Sequence, residues 1–245
     1  MKTLFPKVLL AVACFVVRSA QADPTSINIV GYINLQLYPG QNLIANQLAQ
    51  GDNRLNTVLV NGTAVGSTFT MWDPLASSFL PLSVFDGSSW SINYTFDLGR
   101  GGLLNTPVMA TNTFVGNVVN YTNILQSPEL GAGLGWHPNY ASGLYLLSIP
   151  DPIVAGGNTM FQYVTDRAPN DGEWVSTLDP ATQTYHTTTY HTGSGWDNGD
   201  PTLNVGQAAW FDLGPVAVPE PSAVGLLGVA VTAFWAMKRR RSRGA

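Results

Sequence analysis

Asp73-Pro74-Leu75-Ala76-Ser77-Ser78-Phe79 and Asp179-Pro180-Ala181-Thr182-Gln183-Thr184-Tyr185 are one phrase written twice, at an offset of 106 residues. At the same offset Gly87-Ser88-Ser89-Trp90 meets Gly193-Ser194-Gly195-Trp196. Asp and Pro start turns, and Gly-Ser closes them, so each copy reads as a turn, a strand, a second turn and another strand. Upstream, Gly40-Gln41-Asn42-Leu43-Ile44 matches Gly143-Leu144-Tyr145-Leu146-Leu147 at 103, and Asn56-Thr57-Val58-Leu59 matches Asn158-Thr159-Met160-Phe161 at 102. Downstream, Leu98 and Gly101 correspond to Leu203 and Gly206 at 105. Five collinear blocks with small drifts in offset define a repeat of about 104 residues. Val30-Gly31 and Val115-Gly116 open the two halves, and Ile124 to Ser142 is an insertion in the second.

Strand signals fill both halves. Apolar and polar residues strictly alternate in Ile33-Asn34-Leu35-Gln36-Leu37, which buries one face and wets the other before Pro39-Gly40 ends the run. The runs Thr113 to Val119, Gly143 to Ile149 and Ala208 to Leu213 are short and bounded by Gly or Pro. The fold expected is all-β: two related units of about 100 residues made of short antiparallel strands, as small barrels or sandwiches, with almost no helix outside the chain ends. Repeat one spans about 27–112 and repeat two about 113–215.

Composition agrees. The chain has 245 residues, 45% hydrophobic and 11% charged, with 25 Gly and 16 Pro, too little Lys, Arg and Glu for helical bundles. The lone Cys14 rules out a disulfide framework or a cysteine zinc site. The net charge of −4 hides a partition: residues 23–217 hold 14 carboxylates against Arg54, Arg100 and Arg167, which leaves −11 and no lysine. Such a body repels nucleic acid and anionic membranes.

The cations gather at the ends. Lys2 and Lys7 precede the apolar run Val8 to Val17, and Ala20-Gln21-Ala22 offers the small residues that signal peptidase admits, so residues 1–22 read as a signal peptide. Cys14 would be a lipoprotein cysteine only if a residue larger than Ala11 stood three before it. At the other end Pro219-Glu220-Pro221 precedes the apolar run Ala223 to Met237 and then Lys238, Arg239, Arg240, Arg241 and Arg243. Fifteen residues make a helix of roughly 22 Å against a hydrocarbon thickness of ~30 Å, a deficit that snorkelling basic residues can cover. A transmembrane helix over about 222–238 is expected, its basic stop in the cytoplasm and the body outside.

This tail, residues 218–245, resembles the PEP-CTERM sorting signal of bacteria that make extracellular polysaccharide. The resemblance implies recognition by an exosortase, a membrane-embedded protease-transpeptidase that would cut near Pro219 to Pro221 after transient anchoring in the inner membrane, with the cell surface or extracellular matrix as destination. The body is similar to secreted β-repeat proteins with the same tail, which supply no catalytic residues.

Inside the body no chemistry dominates. His186 and His191 lie five apart, so on one strand they face opposite ways, and neither they nor His137 have a third ligand nearby. Asp166, Asp171 and Glu173, and Asp197-Asn198-Gly199-Asp200, cluster oxygen ligands of the kind calcium takes, without the helix-loop-helix pattern. There is no Gly-x-Ser-x-Gly elbow and no phosphate loop. Trp90 and Trp196 hold matching places, as core residues would, whereas Trp136 lies in the unmatched insertion and is the candidate platform for stacking on a sugar ring. No catalytic residue, metal site or cofactor is expected. The expected role is a non-catalytic, exported envelope or matrix protein that binds exopolysaccharide. Alternatives are a secreted polysaccharide hydrolase using body carboxylates and a structural coat subunit associating through strand edges.

Overall fold

The first strand, β1 (Val30–Leu37), follows its alternation: Ile33 and Leu37 are buried, and Asn34 and Gln36 are exposed. A computed structural model describes residues 30–118 and 140–215. The expected leader, the insertion around Trp136 and His137, the Pro219-Glu220-Pro221 segment, the helix over 222–238 and the basic stop lie outside the described residues. Strand β1 pairs antiparallel along its length with β8 (Ala110–Asn117), with Gly31 opposite Gly116. The boundary expected between 112 and 113 falls inside β8, whose Phe114 belongs to the first core.

Two larger sheets follow. The first orders β2 (Gly40–Ala45), β7 (Gly101–Thr106), β3 (Thr68–Thr70) and β6 (Ser83–Val84) as β2-β7-β3-β6. The second comprises β9 (Gly143–Leu147), β11 (Trp174–Asp179), β12 (Thr184–His191), β13 (Gly195–Trp196) and β15 (Ala209–Leu213), ordered β13-β12-β11-β15-β9. The pairs β4 (Trp72–Asp73) with β5 (Ser78–Phe79), and β10 (Ala155–Gly156) with β14 (Thr202–Leu203), complete the strands. Among the described residues every paired strand is antiparallel and both larger sheets are open at their edges, so neither closes into a barrel.

Where they meet, the sheets are covered on both faces, which fits the apolar residues of β2 and β9, whereas β12 is exposed from Thr184 to Thr187. In β2, Ile44 faces the first core with Phe69, Trp90, Phe96 and Leu104, while Leu43 and Ala45 face a shared joint. In β9, Leu147 faces the second core with Met160, Phe161, Val175 and Phe211, while Leu146 faces the same joint. The backbone of each sheet also crosses the joint: the amides of Ala45 and Ser148 donate to the carbonyls of Gly206 and Gly99, each at 2.9 Å. Gln47, 1% exposed, locks this seam by donating to the carbonyls of Ile149 (2.9 Å) and Asp151 (3.0 Å) and accepting from the Gly206 amide (2.6 Å).

Helix appears where almost none was expected. A single turn, α1 (Leu55–Val58), and a longer α2 (Gly157–Thr165) each cover one core. The sequence of α2 is poor in strong helix formers, but Met160, Phe161, Val164 and Thr165 fall on one buried face, so packing overrides propensity. The helix ends on Asp166 in the left-handed region, whose amide donates to the Gln162 carbonyl.

The repeated Asp-Pro phrase makes its turns as expected. Asp73 accepts from the amides of Leu75 (2.9 Å) and Ala76 (3.2 Å), and Asp179 from that of Ala181 (2.9 Å). Ser77 (φ 48) and Gln183 (φ 57) then take the left-handed conformation that reverses each chain.

Candidate ligand groove

The hairpin β11–β12 and the loop 197–202 enclose an open groove of about 550 Å³. Thr177 on β11, His186 and Thr188 on β12, and Asn198, Asp200 and Thr202 on the loop border it. A second hollow of about 270 Å³ shares Thr177, His186 and Thr202 with it and extends past Asp179 to Asn204 and Gln207. A small hollow beyond shares Leu178, Pro180 and Gln207 and reaches Leu35 and Leu37 of β1.

Local hydrogen bonds pin the loop to β12. Asp197 accepts from the Thr189 amide (2.8 Å) and the Thr188 hydroxyl (3.2 Å), and that hydroxyl also reaches the Gly199 carbonyl (3.1 Å). Asn198 Nδ2 donates to the Thr187 carbonyl at 3.1 Å. These bonds to the charged form, the Thr189 amide foremost, lower the pKa of Asp197. Asp179, at the far section, is likewise held below the usual carboxylate value by the Thr182 hydroxyl and the Ala181 amide. Among the described residues that line the groove there is no lysine or arginine.

The expected oxygen clusters do not converge. Glu173, 2% exposed, is gripped by both Nη atoms of Arg167 and accepts from the amides of Asn170 and Gly214, each at 2.7 Å. It ties the loop after α2 to the end of β15, and its lone pairs are occupied by the chain itself. His191 stands 3.9 Å from both Asp171 and Asp197, too far to hydrogen-bond. Among the described residues no group of three or more His, Cys, Asp or Glu could hold a metal ion.

Of the tryptophans, Trp90 (3% exposed) and Trp196 (9%) are core residues; their indole nitrogens donate to the Leu59 carbonyl and to Asn158 Oδ1, each at 3.0 Å. Trp72, Phe79 and Trp210 form an edge-to-face aromatic cluster over the joint, with centroids 5.2 to 5.8 Å apart. Neither this cluster nor the groove was foreseen. The available signals were Phe79 within the repeated phrase and the run Thr187-Thr188-Thr189 beside His186.

The sorting signal itself is a matter of sequence: Pro219-Glu220-Pro221, an apolar run and a basic terminus in fixed order. Residues 217–241 match the PEP-CTERM protein-sorting motif. The PEP-CTERM motif implies processing by an exosortase, and with it export and transient membrane anchoring before surface delivery. Among the described residues, no helix is long and apolar enough to cross a membrane. No curated protein and no solved structure matches the chain.

Proposed function

We propose that this exosortase-sorted protein is an envelope or matrix component whose duplicated β body binds exopolysaccharide without turning it over. The groove supports the binding part: it is open, polar and elongated, and its rim offers hydroxyl, amide and imidazole groups that donate and accept hydrogen bonds. Asp179, held below the usual value by its turn, does not fit the general acid of a glycosidase, which needs a carboxyl pushed upward. Among the described carboxyls Asp97 is raised, by burial, but it does not line the groove.

Strand pairing supports the duplication. Leu43 opposes Leu103 and Leu146 opposes Trp210; Phe69 opposes Leu104 and Val175 opposes Phe211. The pairs Phe85–Trp90 and Tyr190–Trp196 bridge the next turn in each half. The last strands align at an offset of 107 instead of the expected 105, with Gly99 (φ 74) and Gly206 (φ 80) as counterparts at one left-handed position.

Changing Pro219-Glu220-Pro221 to alanines in the native host should leave a longer, membrane-retained product on an immunoblot. Equal processing of mutant and parent would remove the sorting part. Pull-down of the secreted protein on the host's own exopolysaccharide tests the body, and release of reducing ends during the incubation would favour the hydrolase.

A further inference from the structure

We propose that the second unit's groove is a cleft for a neutral, hydroxyl-rich chain, and that it exists because a tyrosine which plugs the same place in the first unit is replaced by Pro201. The proposal rests on the duplicated, carbohydrate-binding body set out above.

Backbone bonds fix the correspondence. At the start of α1 the Leu55 amide donates to the Tyr94 carbonyl (3.0 Å), and at the start of α2 the Gly157 amide donates to the Pro201 carbonyl (2.8 Å). Tyr94 and Pro201 are therefore counterparts. Phe69 opposes Ser83 and Val175 opposes Thr188, which makes Pro81 the counterpart of His186. In the first unit the Tyr94 hydroxyl donates to the Pro81 carbonyl at 2.8 Å, and the ring packs against the first core. The phenol thus spans from loop to strand. In the second unit the two counterparts, Pro201 and His186, both border the 550 Å³ groove. Proline lacks the phenol that would bridge it, and the bonds of Asp197 and Asn198 pin the loop to β12.

The lining selects the ligand. The hydroxyls of Thr177 and Thr202 can pair with ligand hydroxyls in either sense, Asn198 through its Oδ1 and Gln207 through its Nε2, since Asn198 Nδ2 is bonded to the Thr187 carbonyl and Gln207 Oε1 to Asn204. Asp179 and Asp200 repel polyanions, and the described lining holds no Lys or Arg to offset them. The body's Arg167 is committed to Glu173, and Arg54 pairs with Asp52. A volume of about 550 Å³ that continues into a further 270 Å³ suits several linked sugar rings.

The test is calorimetric titration of the secreted, processed protein with cellohexaose, xylohexaose and mannohexaose, with oligogalacturonate as the anionic comparison. Pro201→Tyr rebuilds the plug. Thr202→Trp fills the groove from an exposed rim position on β14, and Tyr94→Phe is the first-unit control. At least one neutral hexasaccharide should bind, about tenfold or more weaker in Pro201→Tyr and Thr202→Trp and unchanged in Tyr94→Phe. Melting curves establish that each variant is folded, and Thr202→Trp decides if Pro201→Tyr is not. Wild-type binding that persists in the folded variants overturns the groove while leaving the carbohydrate reading intact. Binding of oligogalacturonate alone overturns the neutral-ligand assignment, and no binding at all removes both readings.

Discussion

Replacing Gln47 by leucine keeps the side-chain size but removes three hydrogen bonds across the joint between the sheets. The amide of Gly206 loses the acceptor at 2.6 Å, and the carbonyls of Ile149 and Asp151 lose their shared donor. The Gly206 and Ile149 bonds are buried, the Asp151 bond only partly, so two groups are left without water. At ~1–3 kcal/mol for each unsatisfied buried group the loss is about 2–6 kcal/mol. Leucine's extra apolar burial returns ~1 kcal/mol. The expected net loss is about 3 kcal/mol, a large fraction of the ~5–15 kcal/mol that holds an ordinary domain folded. Urea unfolding followed by tryptophan fluorescence reads this directly, as a lower midpoint at unchanged slope. A loss below about 0.5 kcal/mol would refute the reasoning, since it would mean that the seam holds without these bonds.

Trp90→Ala and Trp196→Ala should each cost about 3–5 kcal/mol, because each removes a buried ring and a satisfied indole donor; a wild-type melting temperature in either variant would contradict this. Asp86 caps the turn before Trp90 by accepting from Ser89 and Ser88, which lowers its pKa to about 2. A depressed carboxyl stabilises the fold above its unfolded pKa of 3.8 and loses that contribution as pH falls through about 2. The urea midpoints of wild type and Asp86→Asn should therefore differ at pH 5 and converge as pH approaches 2; a gap independent of pH would exclude the charge as its cause.

What the residues disclosed in advance was local. Alternation over Ile33 to Leu37 gave β1, and the bounded runs at Thr113, Gly143 and Ala208 gave strands, because a two-residue period and turn-forming neighbours are written in adjacent letters. The helix α2 was hidden: its nine residues favour helix only once Met160, Phe161 and Val164 have a sheet to pack on. Matching Gly101 to Gly206 by identity passed over backbone shape: Gly99 and Gly206 share the left-handed conformation, whereas Gly101 lies in β7. The groove was hidden for another reason. It joins Thr177 to Thr202, residues 25 positions apart that only the folded chain brings together. Trp136 and the sorting residues lie outside the described residues, so their roles continue to rest on sequence.

The apolar joint between the two sheets bears on how the protein leaves the cell. A chain threading outward N-terminus first delivers Leu43, Ala45, Leu103 and Trp72 long before Leu146, Leu178 and Ala208 arrive to cover them. Until Ala208 and Trp210 have emerged, that apolar flank has nothing of its own chain to cover it. Truncations that end between the two halves should accumulate as aggregates and not as a smaller secreted domain.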